Sequence, residues 1–126
     1  MGRTVRPPKT PIAVVTTVAS PAEAQAMAQA LVQRRLAACA QISRIDSVYR
    51  WQGRVVNEPE CRIVVKTTRE RYPQVEQAIR ELHSYELPAI HALAFDAVYA
   101  PYGEWIVQCC DAGDATPTDT NHGADA

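Results

Sequence analysis

Seven side chains could hold a metal ion or act as a nucleophile: Cys39, Cys61, Cys109, Cys110, His83, His91 and Glu86. Their spacing does not group them. There is no Cys-x-x-Cys and no His-x-x-x-His, and His83 and His91 fall on different elements. A zinc site needs about four convergent ligands and soft copper prefers thiolates. Any copper or other divalent cation is therefore expected to bind weakly at the surface, through His83 first and Cys39 second, and no cofactor is required. Cys39 also reads as a small core thiol at a helix–strand junction. His83 reads as a helix-end histidine at the negative end of the dipole. Adjacent Cys109 and Cys110 would make a strained disulfide, so Cys109 is expected to pack inward and Cys110 to be exposed.

Catalytic patterns are missing. There is no Gly-x-Ser-x-Gly, no phosphate loop and no glycine-rich dinucleotide turn. Cys39 has no base nearby in sequence. The segment Val18-Ala19-Ser20-Pro21 has no Arg or Gly to cradle a phosphate, and Cys61-Arg62-Ile63-Val64-Val65-Lys66 has no aromatic on which RNA bases could stack. A non-enzymatic protein is expected.

The chain as a whole agrees. Its 126 residues suit one domain, and 47% hydrophobic residues can form a core without disulfides or a structural metal. A formal net charge of −1 argues against a phosphate-tracking surface, so no nucleic-acid partner is expected. No window resembles a membrane helix. Arg3, Arg6 and Lys9 are not followed by a long apolar run with a cleavage site, so cytoplasmic residence is expected. Residues 1–11, with Pro7, Pro8 and Pro11, read as a flexible arm. Residues 111–126 lack aromatics and large aliphatics and read as a disordered tail, leaving a domain over residues 12–110.

Within that domain, the β-branched run of residues 12–18 predicts a central strand. Ser20-Pro21-Ala22-Glu23 has the form of a capping box, with Pro at the first helical position. Ala24, Met27, Ala28 and Leu31 then mark one apolar helix face, ending near Leu36. A strand follows over residues 37–42. Its alternation changes phase near residues 43–45, which predicts a bulge or bend. Gly53 and Asn57-Glu58-Pro59 supply turn chemistry around a hairpin. Cys61, Ile63 and Val65 alternate on the returning strand. A second helix begins near Tyr72, with Tyr72, Val75, Ile79 and Leu82 buried, and residues 89–95 form a last strand. Residues 99–109 form a short helix with Tyr102, Trp105, Ile106 and Cys109 inward. The order is β-α-β-β-α-β: an α+β, ferredoxin-like sandwich with an extended β-hairpin and a short C-terminal helix.

The hairpin strands between Ala40 and Thr68 are too long for so small a domain. Their ends, with Tyr49, Trp51, Val55 and Val56, would project with bare edges, and bare edges are normally paired or covered. Pairing among copies closes a ring, so a homotrimer is expected, with those four residues at the interface. Trp51, Lys66, Tyr85, Glu86 and Trp105 could then converge in an inter-subunit cleft.

Five ordered blocks resemble the CutA (divalent-cation tolerance) family. They are Arg35-Leu36-Ala37-Ala38-Cys39, Ser47-Val48-Tyr49-Arg50-Trp51-Gln52-Gly53, Glu60 through Lys66-Thr67-Thr68, His83-Ser84-Tyr85-Glu86-Leu87-Pro88-Ala89-Ile90 and Tyr102-Gly103-Glu104-Trp105-Ile106. The fourth resembles a His-Pro-Tyr-Glu-x-Pro-Glu-Ile segment, with Ser84 and Ala89 in place of Pro and Glu. Thr16 and Leu82 stand where some members carry Cys and His. The resemblance implies a ferredoxin-like subunit that trimerises through its hairpin strands. It also implies a role in tolerance of, or response to, divalent metal such as copper. The PII signalling proteins have a similar subunit plan and bind nucleotide between subunits. That likeness leaves a second expectation, a trimeric small-molecule sensor or scaffold with only an indirect metal link.

Overall fold

The computed structural model describes residues 9–111. Seven elements follow one another: β1 (Pro11–Val18), α1 (Pro21–Gln33), β2 (Cys39–Trp51), β3 (Arg54–Thr68), α2 (Tyr72–Leu82), β4 (Ile90–Ala94) and α3 (Ala100–Cys109). A 3-10 turn, Arg69–Arg71, joins β3 to α2. The strands form one antiparallel sheet in the order β2-β3-β1-β4, which is the expected ferredoxin-like arrangement. Pro11 is the first residue of β1 rather than part of a free arm, and Thr10 is tied to Arg69 and Glu70. The rest of the expected arm and tail, residues 1–8 and 112–126, lies outside the described residues.

One face of the sheet carries α1 and α2. Ile12, Val14 and Val18 of β1 and Cys61, Ile63 and Val65 of β3 point into it, against Met27, Leu31, Val75 and Ile79. Each such large side chain contributes about 1.5–3 kcal/mol when fully buried. On the other face α3 brings Ile106 and Tyr102 against Ala38 and Phe95. Gly103 is buried there, and a β-carbon in its place would meet Pro11 and Val98 at van der Waals contact, 3.4 Å.

Ser20 caps α1 by accepting from the Glu23 N–H at 3.1 Å, but only half of the expected capping box forms, because the Glu23 carboxylate is used elsewhere. The helix stops at Gln33, short of Leu36. Arg35 has φ 60°, and the Leu36 N–H returns to the Leu31 carbonyl while the Arg35 N–H returns to Val32. This is a Schellman ending with Arg in the left-handed place usually given to Gly. In α2 the inward residues are Val75, Ala78 and Ile79, whereas Leu82 is exposed. In α3 Trp105 is exposed, and the expected order of the last two cysteines is reversed: Cys110 is buried, with its thiol 3.7 Å from the Thr67 hydroxyl.

The hairpin differs from expectation in two respects. Its turn is Gln52-Gly53, both with positive φ, and Asn57, Glu58 and Pro59 lie inside β3. Pro59 is tolerated there because β1 no longer flanks β3 beyond Cys61, leaving one edge open. The β2–β3 register runs unbroken from Cys39↔Lys66 to Trp51↔Arg54, so there is no bulge near residues 43–45. The phase change has another cause. Up to Ala40 the helices cover one face of β2; by Ile45 and Ser47 the partly covered face is the other one. Residues 45–51 and 54–60 run past the end of β1 as a two-stranded ribbon, about 20 Å long at strand spacing.

Candidate functional site

Where β1 ends, the connection from α2 to β4 crosses the end of the sheet and takes its place against the ribbon. His83 starts this crossing. Its side chain is fully buried, and its Nδ1 accepts from the Tyr85 N–H at 3.1 Å. Nε2 therefore carries the proton and donates to the Thr17 carbonyl at 2.9 Å. The Glu23 carboxylate completes the anchor by accepting from the Ser84 N–H and hydroxyl at 3.0 and 3.1 Å.

So anchored, the connection presents Tyr85 to Glu60. Glu60 is 7% exposed. One of its oxygens accepts from the Ser47 hydroxyl at 2.7 Å and the other from the Tyr85 hydroxyl at 2.6 Å. One turn of the ladder further out, Tyr49 donates to Glu58 at 3.2 Å. Ser47, Tyr49, Glu60 and Tyr85, with Trp51, Glu86 and Leu87, bound a groove of about 750 Å³ between the ribbon and the connection.

The cleft residues read from sequence fall into two groups. Trp51, Tyr85 and Glu86 line this groove. Lys66 and Trp105 lie at the other end of the sheet, about 20 Å away along β3. There Lys66 Nζ donates to Gln41 at 3.0 Å and lies 6.0 Å from the centre of the Tyr102 ring, which stacks on Trp105 at 5.8 Å. The expected interface residues also divide. Tyr49, Trp51 and Val56 share the groove face of the ribbon, and Val55 points to the opposite face.

Cys39 belongs to the Lys66 end, its thiol 3.8 Å from the Tyr102 hydroxyl. It pairs with Lys66, and Lys66 with Ala13, four residues along β1 from the Thr17 carbonyl that holds His83. Cys39 and His83 therefore do not form one site. Among the described residues no three or more His, Cys, Asp or Glu side chains come together as a metal site would require. Glu60, Ser47 and Glu23 were not legible as site residues. Glu60 directly follows the turn-like Asn57-Glu58-Pro59, and only its strand register shows it facing Ile45 and the groove.

Burial first, and then neighbouring groups, hold four tyrosines protonated above their ordinary value of 10.0: Glu58 at Tyr49, Glu76 at Tyr72, Glu60 at Tyr85 and the Cys39 thiol at Tyr102, which rises to about 12. In the unfolded chain these groups ionise near 10, so above that pH the folded state binds more protons. Their contribution to stability is complete below pH 10 and is lost as pH rises towards 12. The unfolding midpoint in urea should therefore fall steeply over that window, and folded tyrosines should develop tyrosinate absorbance later than the unfolded chain does. Coincident tyrosinate titrations for the two states would contradict this.

A family model described as CutA1 divalent ion tolerance protein matches residues 12–109. The divalent-cation tolerance protein CutA of Thermus thermophilus is 40% identical over 94 residues, which is 74% of this chain and 91% of that protein. A probable divalent-cation tolerance protein cutA homolog of Encephalitozoon cuniculi is 35% identical over 103 residues, 82% of this chain and 90% of that one. Among solved structures, CutA of Synechococcus elongatus superimposes with a TM-score of 0.78 at 36% identity, covering 81% of this chain and 91% of that one. A CutA of Archaeoglobus fulgidus, described as periplasmic, gives 0.78 at 29% identity, with 80% and 99% covered.

Proposed function

This chain belongs to the CutA1 divalent ion tolerance family, and from that premise we propose that it is a non-enzymatic homotrimer serving tolerance of divalent cations, copper foremost. The observation that carries the trimer is the ribbon. Among the described residues, no strand pairs with residues 54–60 on the edge that β1 vacates, and none pairs with β2 on its outer edge. Val48 and Val55 on the ribbon are 67% and 66% exposed. Apolar strands with open edges seek further strands, and three copies in cyclic symmetry supply them. In such a ring the Lys66–Trp105 end of one subunit can approach the Trp51–Tyr85–Glu86 groove of the next, forming the inter-subunit cleft.

Direct copper binding is weak in this reading. Both ring nitrogens of His83 have partners, and Cys39 lies at the far end of the sheet. The thiols of Cys39, Cys61 and Cys110 suit the reducing cytoplasm. The test is genetic: cells without this protein should stop growing at a lower copper concentration than cells with it, and the intact chain should restore growth. Equal copper sensitivity with and without it contradicts the role.

The groove favours a second reading, in which a small molecule bound there is the signal and the link to metal is indirect. Its size and its mixture of aromatic and polar walls are those of ligand pockets.

A further inference from the structure

We propose that Lys66 of each copy enters the groove of the next copy in the ring and pairs with Glu60 there, so that this site is completed only by assembly. The proposal rests on the ribbon-built trimer and goes beyond it in naming the residue that a neighbour contributes.

The reason is a pair of charges without counter-charges. Glu60 is 7% exposed, and a glutamate so buried is normally ion-paired. Its oxygens hold the Ser47 and Tyr85 hydroxyls, one each, and each has room for another donor. Among the described residues no cation lies within ion-pair distance of it. Two basic residues stand near. Arg50 lines the groove, but strand alternation turns its side chain to the opposite face of the ribbon from Tyr49 and Trp51. Arg62 follows Glu60 on the same face of β3, about 7 Å along the strand, and is exposed. The Thr17 hydroxyl also lines the groove without reaching the carboxylate. Lys66 is the complementary case. Its Nζ donates to the neutral Gln41 side chain and lies 6.0 Å from the centre of the Tyr102 ring, with no carboxylate among the described residues within ion-pair distance.

In a single chain, water reaches part of both groups. A ring that covers the ribbon removes that water, and a charge left unpaired at a subunit boundary is costly. Lys66 and Glu60 share one face of β3 about 20 Å apart, so one chain cannot join them. Copies arranged head to tail can, and head-to-tail contacts that close form a ring. Of the three cations on this face of β3, Arg54 and Arg62 flank the groove of their own chain, and Lys66 stands at the far end. The surroundings match as well. Lys66 arrives beside Tyr102 and the 40% exposed Trp105, and the groove presents Trp51 and Tyr49, 37% and 36% exposed. Aromatics of this kind are enriched at subunit boundaries, and their faces attract an ammonium group.

The test is a double-mutant cycle on the full chain in its native assembly. Subunit exchange between unlabelled and heavy-isotope-labelled particles is followed by native mass spectrometry. Lys66→Met and Glu60→Gln should each speed exchange about tenfold or more. The double variant should exceed the faster single by no more than about threefold, because the second change removes a partner already lost. Lys66→Arg, which keeps the charge, should recover most of the difference. Within its own chain Lys66 has polar contacts to Gln41 and the Tyr102 ring, so Lys66→Met leaves the subunit folded, which circular dichroism checks. Glu86→Gln, at the exposed rim, should change exchange less than Glu60→Gln; the reverse order overturns the assignment to Glu60. Parent particles of three chains whose exchange is unchanged by Lys66→Met, or single effects that multiply in the double variant, overturn the pairing and leave the trimer standing. A parent with the mass of one chain removes both.

Discussion

Val55→Asp should break the assembly into single chains and leave each chain folded. Val55 is 66% exposed in the isolated subunit and lies opposite Arg50 across the ribbon. For a lone chain, substitutions at exposed sites are worth within about 0.5 kcal/mol. A strand aspartate loses some β-propensity, and an opposite-charge pair with Arg50 returns part of it. In a ring built on the ribbon, the same aspartate must give up its water at a subunit boundary, and it must do so at all three boundaries. At about 2 kcal/mol per boundary the trimer loses about 6 kcal/mol, more than ten-thousandfold in association. Sedimentation at micromolar concentration should give the 13.9 kDa of one chain, with circular dichroism unchanged. A variant that keeps the mass of the parent removes Val55 from the interface.

Glu60→Ala should be the most damaging single change around the groove. It removes the acceptor for the Ser47 and Tyr85 hydroxyls, bonds of 2.7 and 2.6 Å. Hydrogen bonds to a charged group contribute about 1.5–3 kcal/mol each. Part of this is offset because the carboxylate no longer has to be buried. The net loss should be about 3 kcal/mol in urea unfolding at fixed protein concentration. Because Tyr85 is what holds the connection to the ribbon, amides of residues 84–89 should also exchange faster with deuterium. Tyr85→Phe removes one of the two bonds and should lose about half as much. A loss for Glu60→Ala below about 0.5 kcal/mol, the level of an ordinary surface change, would mean that the connection is held by His83 and Glu23 alone.

The element order was legible because periodicity is a local property. The β-branched run of β1, the stripe Ala24, Met27, Ala28, Leu31 and the alternation Cys61, Ile63, Val65 each state which side faces a core. Legibility failed where coverage switches faces. In β2 the phase change near residues 43–45 has the form of a bulge, yet the ladder is continuous and only the covered face changes, from the helix side at Ala40 to the groove side at Ser47. Asn57-Glu58-Pro59 has turn composition, yet it is strand, because an open edge accepts a proline. The left-handed Arg35 was hidden for the converse reason: nothing in an arginine announces positive φ. At the site, Trp51, Tyr85 and Glu86 were readable as an aromatic-polar set. Glu60, which organises them, was not, since its partners Ser47 and Tyr85 stand 13 and 25 residues away. The two ends of the expected cleft, Lys66 with Trp105 and Trp51 with Tyr85, are separate in one subunit. Only the approach of a second copy can unite them.

That approach is tested most directly by the mass of the native particle. Light scattering on the eluting peak, at concentrations from micromolar upwards, should return three times the 13.9 kDa of a single chain, with no dependence on dilution through that range. A particle of one chain's mass would mean that the open edges of residues 54–60 tolerate water, and the trimer and its cleft would both have to be abandoned.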